Sequence, residues 1–349
     1  MEPLYFASDY QEGACPEILT RLAETNLEKT SGYGTDQYSE NARACIRKAC
    51  GCPNADIYFL TGGTQTNATV IDALLPSYQG VIAADTGHIA VHEAGAIEFG
   101  GHKVLPLPHD CGKLTAAQIA AYCEKFYNDE SRDHMVMPGM VYISQPTEYG
   151  TLYTRKELAE IRQICDQYRL RLYLDGARLA YALAADVNDV SLQDLAALCD
   201  VFYIGGTKCG LLLGEAVVIP NPALLPHFFT IIKQHGALLA KGRILGIQFE
   251  TMFRDGLYEK IGKNAVSAAE EMRSLFRKTG YQLAFDSPTN QTFLLLTDEE
   301  LHQLASHIVF STWEKPDASH TIVRLATSWA TTQEDMQALA KVLADRNEA

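Results

Sequence analysis

The sequence predicts an α/β protein with a large domain, built on a mixed and mostly parallel sheet, and a small α+β domain at its carboxyl end. The first observation is that short apolar runs alternate with amphipathic stretches before Pro222, as strands alternate with helices around a parallel sheet. The second is that this alternation then gives way to long helical stretches and a few short strands. We therefore divide the chain into residues 1–245, an N-terminal arm with the large domain, and residues 246–349.

Chain length and charge limit the functions that the protein can have. With 349 residues the chain is longer than a usual single core, which favours two domains. The 29 basic and 43 acidic residues give a net charge of −14, and such a surface repels phosphate backbones, so we expect no nucleic-acid partner. An acidic surface still permits a local basic pocket for a small anion.

The compartment is predicted from the first residues and the cysteines. Residues 1–13 lack the basic and apolar regions of a signal peptide, and no apolar run approaches the roughly 18 residues of a membrane span. The nine cysteines are an odd number without metal-ligand spacing, so we expect reduced thiols and no metal. The sequence thus predicts a cytoplasmic protein without a membrane partner.

The strands of the large domain are predicted from short apolar, β-rich runs. In chain order they cover residues 56–60, 80–84, 103–107, 140–144, 170–174 and 201–204, and residues 291–296 and 322–326 add two strands to the small domain. Helices are predicted over about residues 67–75 and 154–168, largely over 223–255, over 260–279 and from 333 onward. Thr154 lies three residues before Glu157, which is the spacing of a capping box.

The segment Thr61-Gly-Gly-Thr-Gln-Thr-Asn67 joins a predicted strand to a predicted helix. This glycine turn would present free backbone N–H groups and threonine hydroxyls at the helix N-terminus, which is a good site for a phosphate. A plain turn with a threonine cap is the alternative interpretation.

Two later segments also follow strands. Asp175 and Arg178 come directly after one strand, where ligands bind in parallel sheets, although an aspartate cap and a surface arginine fit the pattern as well. Lys208 lies in a glycine-rich turn after the next strand. A desolvated lysine there would have a lowered pKa and act as an amine nucleophile, whereas most loop lysines are simply solvated.

The three segments together match the needs of pyridoxal 5′-phosphate (PLP). That cofactor requires an anion site for its phosphate, a carboxylate for its ring nitrogen and an amine for its aldehyde. In chain order the sequence offers the turn at Gly63, then Asp175, then Lys208. We therefore predict PLP as the cofactor.

The chain resembles the threonine aldolase branch of the β-eliminating lyase family, which has the type I fold of PLP enzymes, that of aspartate aminotransferase. The segments that carry the resemblance are residues 63–67, 87–95, 174–179, 207–208 and 323–327. The resemblance implies a lyase of low specificity that cleaves L-threonine, L-allo-threonine and other β-hydroxy amino acids to glycine and an aldehyde.

The resemblance also implies roles for individual residues. Lys208, His88 and Asp175 would be catalytic, with His88 stacked on the cofactor ring and Asp175 keeping the ring nitrogen protonated. The residues implied to contact the cofactor are Gly63, Thr64, Gln65, His88, Asp175, Arg178, Thr207, Lys208 and Arg243. Of these, Arg243 matches loosely an arginine that reaches the phosphate of a neighbouring subunit, and the family assembles as homodimers or homotetramers.

The substrate site is implied to contain Ser8, Glu148, Arg178 and Arg324. Arg178 and Arg324 would bind the substrate carboxylate, for which the planar guanidinium is well suited. Two segments depart from the family pattern: Glu148 stands where the family has a histidine that touches the substrate hydroxyl, and Ser8-Asp9 continues as Tyr-Gln-Glu rather than Thr-x-Thr.

These departures leave alternatives open. The base that removes the hydroxyl proton is His88, Glu148 or a water molecule. A PLP-dependent β-elimination on a different amino acid is the nearest alternative function, and a non-catalytic binding protein that keeps the fold is another. A nucleotide-binding α/β protein is more distant, because no nucleotide fingerprint is present.

Overall fold

The computed structural model describes residues 3–345, which form a seven-stranded sheet, a four-stranded sheet and a two-stranded pair. The strands are β1 (Leu4–Tyr5), β2 (Asp56–Leu60), β3 (Gln79–Ala84), β4 (Val104–Leu107), β5 (Met137–Ser144), β6 (Arg171–Asp175), β7 (Val201–Gly205), β8 (Glu215–Ile219), β9 (Gln282–Leu283), β10 (Gln291–Thr297), β11 (Ile308–Val309), β12 (Ser311–Glu314) and β13 (His320–Ala326).

The helices occupy most of the intervening segments. They are α1 (Pro16–Glu24), α2 (Gln37–Ala49), α3 (Gly63–Leu74), α4 (His88–Val91), α5 (Ala96–Phe99), α6 (Ala116–Asn128), α7 (Arg155–Tyr168), α8 (Leu179–Ala184), α9 (Leu192–Leu198), α10 (Phe228–Gln234), α11 (Arg243–Arg254), α12 (Leu257–Lys278), α13 (Asp298–Ala305) and α14 (Gln333–Asp345). Among the described residues, no helix is both long and apolar enough to cross a membrane.

The seven-stranded sheet confirms the predicted α/β class. Its strand order is β2-β8-β7-β6-β5-β3-β4, and β8 is the strand that runs antiparallel to both of its neighbours. The inner strands β6 and β7 are almost fully buried, as expected when helices cover both faces of a parallel sheet. The antiparallel sheet β12-β13-β10-β9 forms the small α+β unit.

Residues 4–9 connect the two larger sheets. Strand β1 pairs in parallel with β11, and the Ala326 N–H donates to the Phe6 carbonyl at 2.7 Å. The helix α11 spans the predicted boundary between residues 245 and 246. The division of the chain at that boundary therefore stays a prediction.

Most predicted elements are confirmed to within a few residues, and the capping box of Thr154 and Glu157 is present. Three differences matter. Helix α3 begins at Gly63, four residues before the predicted start at residue 67. The predicted helical stretch over 223–255 is interrupted after α10, where Gly236 adopts a φ of 66°. Strand β8 is not among the predicted strands.

Sheet topology determines where a ligand site lies. Strands β2, β3, β5, β6 and β7 are mutually parallel, so their carboxyl ends meet at one edge of the sheet. Because β8 runs in the opposite direction, its first residue, Glu215, lies at that same edge. Side chains from six strands therefore converge on one crevice, where ligands bind in open α/β sheets.

Candidate active site

A cavity of about 290 Å³ lies at this edge of the sheet. Most of the predicted site residues line it, namely Gly63, Thr64, His88, Glu148, Asp175, Arg178, Thr207 and Lys208. A larger groove of about 720 Å³, between α8, α9, α11 and α12, contains none of the predicted site residues. The chemistry suggested by the sequence therefore belongs to the smaller cavity.

Asp175 receives four hydrogen bonds in the buried wall of the cavity. The hydroxyls of Tyr142 and Tyr203 donate to its two oxygens at 2.6 and 2.5 Å. The side-chain amide of Asn67 donates at 3.1 Å and the backbone N–H of Ala177 at 2.9 Å. Every donor comes from a different segment of the chain, so the carboxyl group is fixed in place from several sides.

These contacts keep Asp175 ionised in spite of its burial. Burial alone would raise the pKa of the Asp175 carboxyl. The nearby His88 and the hydrogen bonds from Tyr142 and Tyr203 outweigh that effect, and the pKa lies below its ordinary value. A buried carboxylate that stays charged is what a protonated pyridine nitrogen requires as a partner.

Lys208 follows β7 and carries the amine of the cavity. Burial and the neighbouring Arg178 lower the pKa of its ammonium group, while Asp9, Asp175 and Glu215 oppose that shift. The hydroxyl of Tyr181 donates to the backbone carbonyl of Lys208 at 2.5 Å and so fixes the turn. Within residues 3–345 no hydrogen bond engages the amine itself, which leaves it available for reaction.

The N-terminus of α3 provides a site for an anion. Gly62 precedes the helix without any side-chain cap, so the first N–H groups have no partner from a capping residue. A Cβ atom on Gly63 would lie 3.3 Å from the Tyr203 hydroxyl, so glycine suits this tight position. Gln65 does not line the cavity, because its side-chain oxygen accepts hydrogen bonds from the backbone and hydroxyl of Thr61.

His88 is held by a buried carboxylate. Its Nδ1 lies 2.7 Å from Oε1 of Glu93, whose side chain is fully buried. The amide of Asn67 donates to the same oxygen at 2.7 Å, and the Tyr173 hydroxyl donates to Oδ1 of Asn67 at 2.8 Å. Asn67 therefore joins the Glu93–His88 pair to Asp175 in one network, and Nε2 is the remaining ring nitrogen of His88.

Glu148 lies beside His88 at the cavity. One of its oxygens accepts the backbone N–H of His88 at 3.0 Å and the hydroxyl of Ser144 at 2.9 Å. Burial raises the pKa of Glu148, and the nearby Asp175 raises it further. A carboxyl group with a raised pKa can exchange a proton with a substrate closer to neutral pH than an ordinary glutamate.

Arg178 forms a buried ion pair with Asp9. Its Nε and one terminal nitrogen bond the two oxygens of Asp9 at 2.6 and 2.9 Å, and Asn290 donates to Asp9 at 2.9 Å. Arg178 is also one of the residues that line the cavity. Asp9 therefore positions Arg178 at the cavity, and the contact of Arg178 with a substrate carboxylate stays a prediction.

Arg324 and Ser8 hold buried polar atoms without partners. Neither Nε of Arg324 nor the hydroxyl of Ser8 has a hydrogen-bond partner among the described residues. Burial, together with the nearby Arg178, lowers the pKa of Arg324 to about 10. Neither residue is among those that line the cavity, and the terminal nitrogens of Arg324 donate to Gln291 and to the Ala7 carbonyl at 3.4 Å. Unsatisfied buried donors are energetically unfavourable, but the contact of these two residues with a substrate carboxylate stays a prediction.

Arg243 lies away from the cavity of its own chain. Its terminal nitrogens donate to the backbone carbonyls of Glu28 and Thr25 at 2.6 and 2.7 Å, and its guanidinium lies 5.3 Å from the centre of the Tyr38 ring. Its predicted contact with the phosphate of a neighbouring subunit stays a prediction.

Several site residues were not found from the sequence. They are Asp9, Asn67, Glu93, Tyr142, Tyr203 and Glu215. A partial signal existed for the tyrosines, since each lies two positions before the end of a strand that leads toward a predicted site residue. Asn67 was visible as the last residue of the glycine-turn motif, but its link to Asp175 depends on the sheet.

The fold and the cavity together define a PLP-dependent enzyme with the aspartate aminotransferase type of fold. The structure of Thermus thermophilus aspartate aminotransferase has this fold: it superimposes with a TM-score of 0.71 at 12% identity, covering 98% of this chain and 91% of the other. The cavity offers a helix N-terminus, a charged buried carboxylate and a buried amine, which fit the phosphate, ring nitrogen and aldehyde of PLP.

Within this class the chain belongs to the β-eliminating lyase family, whose model matches residues 5–340, and it is a PLP-dependent lyase. A low specificity L-threonine aldolase of a Pseudomonas species is 32% identical over 302 residues, 86% of each chain. A solved structure of Leishmania major threonine aldolase has 41% identity and a TM-score of 0.95, covering 99% of this chain and 100% of the other. The family and the cofactor predicted from the sequence are thus confirmed.

The ion pair between Asp9 and Arg178 predicts a loss of stability when it is broken. We expect Asp9→Asn to lower the free energy of unfolding by about 3 to 5 kcal/mol, because the Arg178 guanidinium would remain buried without its counter-ion. Urea unfolding of the cofactor-free protein measures this change. Asp166→Asn is the matched control, since it removes an exposed partner of Arg162 and should cost under about 1 kcal/mol. Equal losses in both variants would contradict the prediction.

Proposed function

We propose that this protein is a low-specificity threonine aldolase, which cleaves L-threonine, L-allo-threonine and other β-hydroxy amino acids to glycine and an aldehyde. The observation that carries the proposal is the convergence of Lys208, Asp175 and His88 on one cavity, in a chain whose relatives are named threonine aldolases. The free donors of Arg324 and Ser8 support an amino-acid substrate, because they suit its carboxylate.

Six of the residues that line the cavity have proposed tasks toward the cofactor. Gly63, Thr64 and Thr207 would hold the phosphate, Asp175 would pair with the ring nitrogen, and Lys208 would supply the amine for the aldehyde. His88 would pack on the ring, and Glu93 holds the orientation of His88 through Nδ1. When bound, PLP supplies an electron sink for the pair released from the Cα–Cβ bond.

We assign the removal of the hydroxyl proton to Glu148. It occupies the position of the family's histidine, and its raised pKa makes it a stronger base than an exposed glutamate. The backbone N–H of His88 and the Ser144 hydroxyl hold one oxygen in place. As Glu148 takes the proton from the β-hydroxyl oxygen, the Cα–Cβ bond breaks and that oxygen becomes the carbonyl of the departing aldehyde.

The proposal predicts products that can be measured directly. Yellow protein incubated with L-threonine should release glycine and acetaldehyde in equal amounts, and borohydride should fix the cofactor on the peptide that contains Lys208. Lys208→Ala lacks the amine, so it should neither release glycine and acetaldehyde nor retain the cofactor after borohydride treatment. Serine and cysteine are assayed beside threonine and allo-threonine. Release of ammonia without glycine, with pyruvate from serine or cysteine or 2-oxobutyrate from threonine, would favour β-elimination. A colourless protein without cofactor uptake would favour a binding protein.

Replacement of Glu148 tests its role as the base. We expect Glu148→Gln to lower kcat/KM for threonine by about 10²- to 10⁴-fold, the usual contribution of a general base. The carboxyl group acts as a base when it is ionised, so wild-type kcat/KM should fall as the pH drops through its raised pKa. That acidic limb should vanish in the glutamine variant. Glu148→His, which restores the family's residue, should retain more activity, and an unchanged acidic limb in Glu148→Gln would refute the assignment.

We further propose that the enzyme is cytoplasmic and works as a homodimer or homotetramer. All nine cysteines are unpaired, which supports a reducing compartment. The placement of Arg243 outside its own cavity supports a role at a neighbouring subunit. Leu27 and Phe99, with exposed fractions of 91% and 96%, are candidates for burial between subunits.

The assembly is testable by light scattering. We expect at least a dimer, and we expect Arg243→Ala to weaken PLP binding although the residue lies outside its own cavity. Arg254→Ala, at the other end of α11, is the matched control and should bind PLP as the wild type does. A fully active monomer would contradict the assigned role of Arg243.

A further inference from the structure

Glu215 is a buried carboxyl group at the active-site cavity for which the proposed reaction provides no task. It begins the antiparallel strand β8 and lines the cavity together with Lys208. Val217 and Ile219 pack into the same core as Tyr173 and Tyr203. Side chains two residues apart on a strand point to the same side of the sheet, so Glu215 points to the same side as Val217 and Ile219. Helix α3 and the proposed phosphate site also lie on that side.

The contacts of Glu215 tie it to the residues assigned to the phosphate. One oxygen accepts the backbone N–H of Gly206 at 3.0 Å, and Thr207 donates its hydroxyl to the carboxyl group. That hydroxyl also accepts the N–H of Gly214 at 3.0 Å. Glu215 is 3% exposed, and no Lys, Arg or His among the described residues forms an ion pair with it.

The groups that surround Glu215 determine its charge. Lys208 and Cys209 follow β7, Asp175 ends β6, Tyr173 and Tyr203 lie on those two strands, and Tyr258 comes from α12. Burial raises the pKa of Glu215 to about 7, with Lys208 lowering it and Asp175 raising it. The Glu215 carboxyl group therefore changes charge near neutral pH. The residues that α3 contributes to the cavity, Gly63 and Thr64, are uncharged.

A phosphate at the N-terminus of α3 and Thr207 would bring a second negative charge close to this carboxyl group. Two like charges in a buried site are energetically unfavourable, and the usual outcome is that one of the two groups binds a proton. A protonated carboxyl group also has an O–H that can donate a hydrogen bond to a phosphate oxygen.

We propose that Glu215 takes up a proton when the phosphorylated cofactor binds, and that the neutral carboxyl group then forms part of the phosphate site. This inference rests on the proposed placement of the cofactor phosphate at Gly63, Thr64 and Thr207. It makes cofactor capture, rather than bond cleavage, the step in which Glu215 takes part.

The proposal fixes the direction of the pH dependence. A phosphate raises the pKa of Glu215 in the complex above its value in the free protein. The affinity for the phosphorylated cofactor is therefore highest when the pH lies below the pKa of Glu215 in the free protein, about 7. Above that pH the affinity falls by up to tenfold per pH unit, until the pH exceeds the pKa of Glu215 in the complex. Glu215→Gln, which is uncharged at every pH, should remove this dependence.

Calorimetry with pyridoxine 5′-phosphate tests the inference. This probe carries the phosphate and the ring but no aldehyde, so Lys208 cannot bond to it covalently. Titrations at about pH 8, in two buffers of different ionisation enthalpy, give the number of protons taken up on binding. We expect the wild type to take up more protons than Glu215→Gln, by an amount that approaches about one proton. Glutamine keeps an oxygen for the Gly206 N–H, so a purely structural role would not change proton uptake.

Glu250→Gln is the matched control, because Glu250 is a buried glutamate outside the cavity that accepts a hydrogen bond from Asn41. It should take up as many protons as the wild type. Equal uptake by wild type and Glu215→Gln would overturn the inference, and so would a dissociation constant of the wild type that stays flat from about pH 7 to 9. The probe undergoes no cleavage, so a missing aldolase activity would show in the threonine assay and leave this result unaffected.

Discussion

The ionised carboxylate of Asp175 is the constraint on which the rest of the site depends. A charge buried in the centre of a protein is tolerated when several donors stabilise it, and here the donors come from β5, β7, α3 and the turn after β6. Because these four segments must meet at the Asp175 carboxylate, the start of α3 is fixed relative to the sheet. The distance between the proposed phosphate site and the proposed ring-nitrogen partner is thus determined by a single network, in which Asn67 also orients Glu93 and through it His88.

Strand direction decides which chemical groups reach the cavity. Parallel strands bring to the cavity residues that follow their carboxyl ends, and these lie in turns, as Lys208 and Glu148 do, or at the start of a short helix, as His88 does. The antiparallel strand β8 delivers its first residue instead, a position that belongs to the strand itself and is buried in the sheet. This difference explains why Glu215 has so little contact with solvent, whereas His88 and Lys208 lie where a ligand can reach them.

Local patterns predicted much of this architecture, and long-range pairing accounts for most of what they missed. The capping box at Thr154 and the apolar runs of β2, β3 and β7 depend on neighbouring residues, so they are visible in the sequence. The partnership of Asp9 with Arg178 joins positions 169 apart, and that of Tyr142 with Asp175 depends on the order of β5 and β6 in the sheet. No periodicity encodes either contact. Gln65 shows that a local contact can also be missed. Its place in the glycine-turn motif predicted a contact with the cofactor, but a hydrogen bond from the Thr61 hydroxyl holds its side chain outside the cavity lining.

The pairing of β1 with β11 affects the biosynthesis of the enzyme. Ala7 accepts a hydrogen bond from Ser311 at a separation of 304 positions, and Asp9 lies two residues further along the same arm. A ribosome makes the arm long before β11, β12 and β13, so the arm has no sheet to join while the large α/β unit is being completed. The strand pairing that holds the arm, and with it Asp9, beside Arg178 therefore becomes possible when the last strands have been synthesised. The ion pair between Asp9 and Arg178 thus gains this support late in synthesis, whereas Asp175 and Lys208, which belong to the large unit, precede those strands in the chain.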